Sequence, residues 1–427
     1  MAGQGTDERR REVSVQPDTS IFAFAHDLVD EGLESALSRI ESSGLGGLSV
    51  AAVYHDGRDI YPHNPRGRVL FNEDGVAFFK PDQRHFNGSV VAPLISSTVN
   101  LTGPFERTLA AAHDRGLVVH AWTVFLHNTA LGRRYPSSVT RNVYGDPQLT
   151  SLCPANPEAA EYAIGLAKSI AQLGVDSVNA EGLHFLPLEH GYHHERYFIQ
   201  IGPIDRLLLG LCFCDFCRTR ASDAGINVEA LVAAVRARLD RMLETADAFD
   251  PTPDTFETVA SLWSGELGAF LACRERTVTE LAAEVSAAVR RPGTTFTFND
   301  PAGAFASASD QAADEVPPES WRLGIDPAEV ARHCDDIQIL GYSRSPETVH
   351  ADVAKYQRIV DGAAGVRVAL RPVWPDSESA DNLRAKLDLL SQLAVTGIDF
   401  YHYSFMRLED LDRIAATLTE LRWAPRS

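Results

Sequence analysis

The feature that most constrains this chain is an alternation of two hydrophobic periods that repeats from residue 21 toward the C-terminus. Short apolar runs of β type stand at 21–25, 48–54, 117–126, 175–181, 294–299, 337–342, 366–372 and 398–403. Between them apolar residues recur at intervals of three and four, as on one face of a helix, for example at 33–40, 105–115, 158–173, 271–290, 346–360, 380–393 and 408–421. Several helical stretches run into a glycine before the next strand, and Gly116, Gly174, Gly293 and Gly397 are expected to supply left-handed helix caps. A strand, a helix and a second parallel strand require a right-handed crossover. Eight such units predict an α/β chain closed into a (β/α)8 TIM barrel rather than an open doubly wound sheet. The first turn, His26-Asp27-Leu28, carries no glycine-rich phosphate loop, which disfavours a dinucleotide-binding unit.

The expected organisation is one barrel domain over 18–427 behind a polar lead-in at 1–17, which is expected to be disordered. Two insertions interrupt it, 56–103 after the second strand and 187–253 after the fourth. Both leave from strand C-termini, the end at which barrel enzymes build their sites. Within the first, 68–71 and 76–79 flank Asn72-Glu73-Asp74-Gly75 and predict a hairpin. The small, polar and acidic stretch 303–318 is expected to be a flexible loop. With 39 Lys plus Arg against 58 Asp plus Glu, the chain carries −19 at neutral pH, a sign that repels phosphate backbones and anionic lipid. Nucleic acid and membrane are therefore not expected partners, and the apolar runs fall short of the roughly 18 residues a spanning helix needs. Arg9, Arg10 and Arg11 are followed by no apolar segment, so export is not indicated and a cytoplasmic location is expected.

Six cysteines are too few to form a disulfide framework in 427 residues, and three of them crowd into Cys212-Phe213-Cys214-Asp215-Phe216-Cys217. One tight turn can bring three thiols around a single ion, since thiolates converge to about 2.3 Å from zinc. A fourth ligand is then required, and Cys153, in Leu152-Cys153-Pro154, leads into the third helix on the same barrel face. Cys273 and Cys334 fall in helical patterns and read as core or incidental residues. A C-x-C-x-x-C segment after the fourth strand with a Cys-Pro before the third helix resembles the structural zinc site of family 42 glycoside hydrolases, the bacterial β-galactosidases. The resemblance implies a closed site of Cys153, Cys212, Cys214 and Cys217 holding structural Zn2+ with no open coordination position. It also implies a glycosidase-like barrel that acts on a small carbohydrate, and a homo-oligomer, with trimers the expectation.

Glycoside hydrolysis needs one carboxylic acid to protonate the leaving oxygen and one carboxylate to act as nucleophile or to activate water. The fourth strand ends Asn179-Ala180-Glu181, and period-two alternation puts Asn179 and Glu181 on one face, which makes Glu181 the leading candidate. Asp300 follows the fifth strand and Asp376 the seventh, and either can supply the second acid. Two allocations compete. In the clan of family 42 an asparagine immediately precedes the strand-four acid/base glutamate and strand seven carries a glutamate nucleophile. This chain departs from both points, with Ala180 intervening and Asp376 on strand seven. An α-amylase-like arrangement uses acids from strands four, five and seven, giving Glu181, Asp300 and Asp376, although Asp300 before Pro301 is also an ordinary turn residue.

Sugars present apolar faces and hydroxylated rims, so their sites combine rings with hydrogen-bonding groups. The strand ends offer His26, Asp27, His55, Trp122, His127, Asn179, Tyr342, Arg371, Trp374, Tyr401 and His402. Trp122 lies in an apolar strand and can equally be core. Arg371 needs a carboxylate partner, and Asp376 or Glu181 can provide one. His190, His193 and His194 lie in the second insertion, where their spacing fits a polar loop near substrate better than a metal site. Beside the hydrolase, two other functions fit: a metal-dependent sugar isomerase or aldolase built on His26, His55, Glu181 and His402, and a carbohydrate-binding barrel without catalysis.

Overall fold

A computed structural model of the chain describes residues 17–190, 196–302 and 319–421. The expectations for the lead-in up to residue 16, for the 303–318 loop and for His193 and His194 lie outside the described residues. Eight parallel strands form the barrel: β1 (Asp18–Ala23), β2 (Gly47–Tyr54), β3 (Val118–Val124), β4 (Ser177–Glu181), β5 (Thr295–Asp300), β6 (Asp336–Leu340), β7 (Gly365–Leu370) and β8 (Gly397–Phe400). β1 pairs with both β2 and β8, so the ring is closed. The outer layer is α1 (Leu33–Ser42), α2 (Pro104–His113), α3 (Pro157–Ala171), α4 (Glu266–Val289), α5 (Pro327–Ala331), α6 (Pro346–Val360), α7 (Ala380–Leu390) and α8 (Leu408–Glu420). The predicted (β/α)8 TIM barrel is thus the observed fold. No helix among the described residues is long and apolar enough to cross a membrane.

Local chemistry explains the boundaries. Asn156 caps α3 by accepting from the Glu158 N–H, with Pro157 in the first turn, and Gly174 beyond its end takes φ +84°. Gly116 and Gly293 have the same left-handed backbone, as expected. Gly397 does not. It opens β8 directly, and a Cβ there would run into the Arg367 guanidinium, so its requirement is close approach rather than a helix cap.

The barrel floor is polar. Arg367 on β7 donates to Asp399 on β8 through Nη2 at 2.7 Å and Nε at 3.1 Å. Asp399 also accepts from Ser20 at 2.6 Å and from Gln338 at 2.5 Å, and Gln338 in turn accepts from Asn179 and Asn299. Burial acts to neutralise both ions, but each charge outweighs it for the other. Arg367 is held above and Asp399 below its ordinary range.

The first insertion folds differently from expectation. Val69–Asn72 pairs antiparallel with Gly57–Ile60, whereas Val76 and Ala77 pair with Tyr54 and Val53 at the end of β2. The buried Val76-Ala77 pair extends the barrel sheet, and the more exposed 69–72 strand finds its partner upstream. Asn72-Glu73-Asp74-Gly75 therefore links two separate pairings and is not a hairpin turn. Between β4 and α4 the helices Pro203–Gly210, Asp215–Asp223, Val228–Glu244 and Phe256–Ala260 close a second apolar core. Leu208, Phe213, Val235, Leu239 and Phe270 contribute to it.

Arg367→Met strands the Asp399 carboxylate on the barrel floor. The variant should lose about 3–5 kcal/mol of unfolding free energy in urea titrations. The double variant Arg367→Met with Asp399→Leu should recover much of that loss.

Candidate active site

The pleat turns alternate residues of each strand inward, and on β4 this aims Ser177, Asn179 and Glu181 into the ring. Ser177 meets Thr297 at 3.3 Å and Asn179 donates to Gln338 at 2.8 Å, both on the floor. Glu181 stands above them at the mouth. Trp122, in register with Asn179 on the neighbouring β3, donates its indole N–H to Glu181 Oε2 at 2.5 Å. The Trp122 ring is enclosed by Tyr54 at 4.5 Å, Phe22 at 4.9 Å and Tyr401 at 5.9 Å, and Tyr54 and Tyr401 share a 3.4 Å hydroxyl contact. Burial pushes the Glu181 carboxyl above the ordinary carboxylate range; the Trp122 hydrogen bond and nearby His55 oppose this and do not cancel it.

Arg371 and Tyr342 form one wall. The Arg371 guanidinium lies 4.1 Å from the Tyr342 ring centroid, and its Nε donates to Asp376 Oδ2 at 2.5 Å. Of the two carboxylates expected to partner Arg371, the structure pairs it with Asp376. Histidines form the opposite wall: His55 stacks on Tyr54 at 4.1 Å and on His127 at 4.6 Å, and His190 meets His127 at 4.6 Å. Burial, reinforced by the neighbouring imidazoles, drives His127 down to about 2, and burial lowers His190 to about 4, so both rings are neutral. His55 donates from Nδ1 to the Asp56 carbonyl at 2.7 Å, which leaves Nε2 as its acceptor.

Other candidates are placed elsewhere. Asp300 has the opposite parity from Thr297 and Asn299, so it leaves the ring and is buried against α6, where it accepts from Tyr356 and Ser320, each at 2.7 Å. The structure does not bring it to Glu181, because the pleat at the end of β5 faces it toward the helix layer. Asn179 is a floor residue. Asp27 is fully buried and accepts from Asn64 at 2.6 Å, which ties the first insertion to the barrel instead of facing the mouth. His26 stacks on Phe24, and His402 packs on Phe24 and Phe405. His402 accepts the Ser404 N–H at Nδ1, so its proton is on Nε2. These two rings do not converge with His55 and Glu181 on one point, as the isomerase reading requires. Trp374 is exposed at the rim of a cavity of about 410 Å3 shared with Phe405 and Arg407.

Tyr54 and Asp59 were not among the sequence candidates. Tyr54 ends an apolar strand and reads as core. Asp59 sits in the insertion on the inner face of the 57–60 strand, where Asn72 donates to it at 2.5 Å. The strand pairing, which the local pattern misassigns, puts it on the less exposed face of that strand beside Asn72.

Cys153, Cys212, Cys214 and Cys217 are buried, and their sulfurs all lie within 4.8 Å of one another. Cys153 Sγ stands 3.8, 3.6 and 3.6 Å from the other three. Four thiolates at about 2.3 Å from a tetrahedral zinc are about 3.8 Å apart, so the donor set fits that ion. None of the four is in a disulfide. Among the described residues, no other group of histidine, cysteine and carboxylate atoms converges in this way.

No protein-family profile and no curated protein sequence matches the chain. Solved structures do. The catalytic domain of β-amylase from Paenibacillus polymyxa matches at 11 % identity and TM-score 0.56, over 95 % of this chain and 98 % of that one. The PgaB (BpsB) glycoside hydrolase domain from Bordetella bronchiseptica matches at 14 % and 0.56, over 96 % and 100 %. The α-L-fucosidase isoenzyme 2 from Paenibacillus thiaminolyticus matches at 10 % and 0.53, over 95 % of this chain but 49 % of the other, so this chain spans about half its length. The likeness is one of fold, that of glycoside hydrolase barrels.

Trp122→Phe removes the donor that favours ionised Glu181. The variant should titrate that carboxyl at higher pH than wild type in carboxyl-resolved infrared or NMR measurements, with the ring packing kept.

Proposed function

We propose that the protein is a glycoside hydrolase that cleaves a small glycoside or oligosaccharide, with Glu181 as its general acid. One observation carries the reading: a carboxyl at the end of a barrel strand, held by an indole N–H and kept protonated above the ordinary range by burial among rings. Tyr342 and Tyr401 keep part of their rings exposed as apolar surface for a pyranose face, and Arg371 and the His55 Nε2 offer groups for its hydroxyls. Glu181 passes its proton to the glycosidic oxygen as the bond from that oxygen to the anomeric carbon breaks, and water completes the new bond at that carbon. The fold shared with glycoside hydrolase barrels supports this reading, and the cysteine pattern supports kinship with family 42.

The four cysteines would hold a structural zinc. All four positions of that site are filled by sulfur, so it clamps the loop before α3 to the segment after β4 and takes no part in bond cleavage. Thiols that must stay reduced suit a cytoplasmic setting. A carbohydrate-binding barrel without turnover is the second reading. It is favoured by the departures from the family 42 pattern, Ala180 between Asn179 and Glu181 and Asp376 in place of a strand-seven glutamate, and by the Arg371 hydrogen bond that occupies Asp376.

The first test is a panel of aryl and alkyl glycosides. Wild type should cleave at least one, and Glu181→Gln should lower kcat on alkyl leaving groups by about 10²–10⁴-fold. Because the acid form is the active one and its pKa is raised, kcat/KM should fall as pH rises through a value above the ordinary carboxylate range. That basic limb should vanish in Glu181→Gln. Binding of sugars in calorimetry with no cleavage would favour the second reading. In a separate test, purified protein should contain one zinc per chain by elemental analysis. Cys214→Ser should lose it and unfold at lower temperature.

A further inference from the structure

A second concavity opens beside the mouth, between the loops that follow β7 and β8. It encloses about 410 Å3, within the range of small-molecule sites. Trp374 lines it from the first loop, Phe405 and Arg407 from the second, and Pro62 from the first insertion. Close contacts fix Pro62 there, since the following His63 and Asn64 bind Glu31 and Asp27 at 2.6 Å each.

The cavity shares its walls with the mouth. Phe405 packs on Tyr401 at 6.1 Å between ring centroids, and Tyr401 meets Trp122, the donor to Glu181, at 5.9 Å. On the other side Ser377, which also lines the cavity, donates to the Arg371 carbonyl at 2.9 Å. Trp374 follows Arg371 by three residues, so their Cα atoms are at most about 11 Å apart. That is the reach of a short oligosaccharide, not of a single ring.

The lining states what kind of group it takes. Trp374 is 74 % exposed, whereas Trp122 and Trp321 are buried, and among the described residues no other ring stacks on it. Its indole is an open apolar plate at the cavity edge. Around it the carboxylates of Glu378 and Asp410 stand against the guanidiniums of Arg407 and Arg413, two against two, so their charges cancel. The start of α8, where an anion would otherwise settle, is already taken: Asp410 accepts the Arg407 N–H at 3.0 Å and pairs with Arg413 at 3.1 Å. Glu378 faces Arg344 at 3.3 Å. Such a lining draws neither anion nor cation, while a ring beside planar charged groups suits the face and the hydroxyls of a neutral sugar.

We propose that the cavity beside Trp374 is a subsite for a neutral sugar unit, so that the protein takes an oligosaccharide running from the Glu181 mouth past Tyr401 onto the Trp374 ring. This rests on the carbohydrate reading above and narrows its substrate class to chains.

The test measures binding by calorimetry in the Glu181→Gln background, where chains stay uncut. The probes are neutral gluco-, galacto- and N-acetylglucosamine oligosaccharides of one to five units. In at least one series the affinity should rise with length, and covering the exposed indole should shift its fluorescence to shorter wavelength. Trp374→Ala should remove about 3–10-fold of the ratio between chain and single sugar, the size of one ring contact, and abolish the shift. Trp374→Phe should restore part of the ratio. A ratio within twofold of the parent in Trp374→Ala would overturn the subsite, and so would binding of no member of the panel; neither result touches cleavage of aryl glycosides by the wild type. Tighter binding of polygalacturonate fragments, weakened by Arg407→Gln, would overturn the neutral assignment. If chains bind through Trp374 while the wild type cleaves no glycoside, the hydrolase reading falls and the subsite stands.

Discussion

The pleat of a closed parallel sheet is the constraint on which this molecule depends. Once β1 pairs with both β2 and β8, each strand has one set of side chains inside the ring and one set against the helices. Asn179 and Glu181 share a parity and both turn inward, the first into the floor network and the second to the mouth. Asp300, one residue out of step with Asn299, is delivered to Tyr356 and Ser320. A carboxylate's position along the chain thus matters less than whether its index on the strand is odd or even.

Burial acts on the same framework with two opposite outcomes. On the floor, Arg367 and Asp399 face each other with enough hydrogen bonds from Ser20 and Gln338 that both remain ionised. At the mouth, Glu181 accepts from the Trp122 indole, and no cation among the described residues pairs with it. Desolvation prevails there and the protonated form persists to higher pH. One barrel therefore contains a structural carboxylate and a candidate proton donor, and what separates them is the charge of the partner in contact with each.

The insertions extend the barrel at its open end. The segment after β4 carries three cysteines to meet Cys153 from the loop before α3, and an apolar core of its own packs behind this cluster. The segment after β2 is fastened by Asp27 to Asn64 and by Glu31 to His63, at 2.6 Å in each case. This fastening sets its two-stranded arm beside Tyr54. The strand ends are thus held by the barrel itself, and the first insertion is held to it by side-chain contacts.

Much of the fold was legible in the sequence because hydrophobic period and glycine placement are local properties. Strands and helices recur at the predicted places, and the C-x-C-x-x-C spacing marks three of the four clustered sulfurs. Glu181 was legible for the same reason, since alternation along a single strand fixes its face relative to Asn179. Partnership between distant segments was not. The 57–60 strand takes 69–72 as its neighbour, Trp122 turns from apparent core into the donor to Glu181, and Arg371 selects Asp376, all through contacts between residues remote in sequence. The chain's own pattern determined which residues become strand, helix and inward face, because those follow from nearest neighbours. Only the closed tertiary structure decided which side chains meet, because ring closure and insertion docking bring together groups that no local period relates.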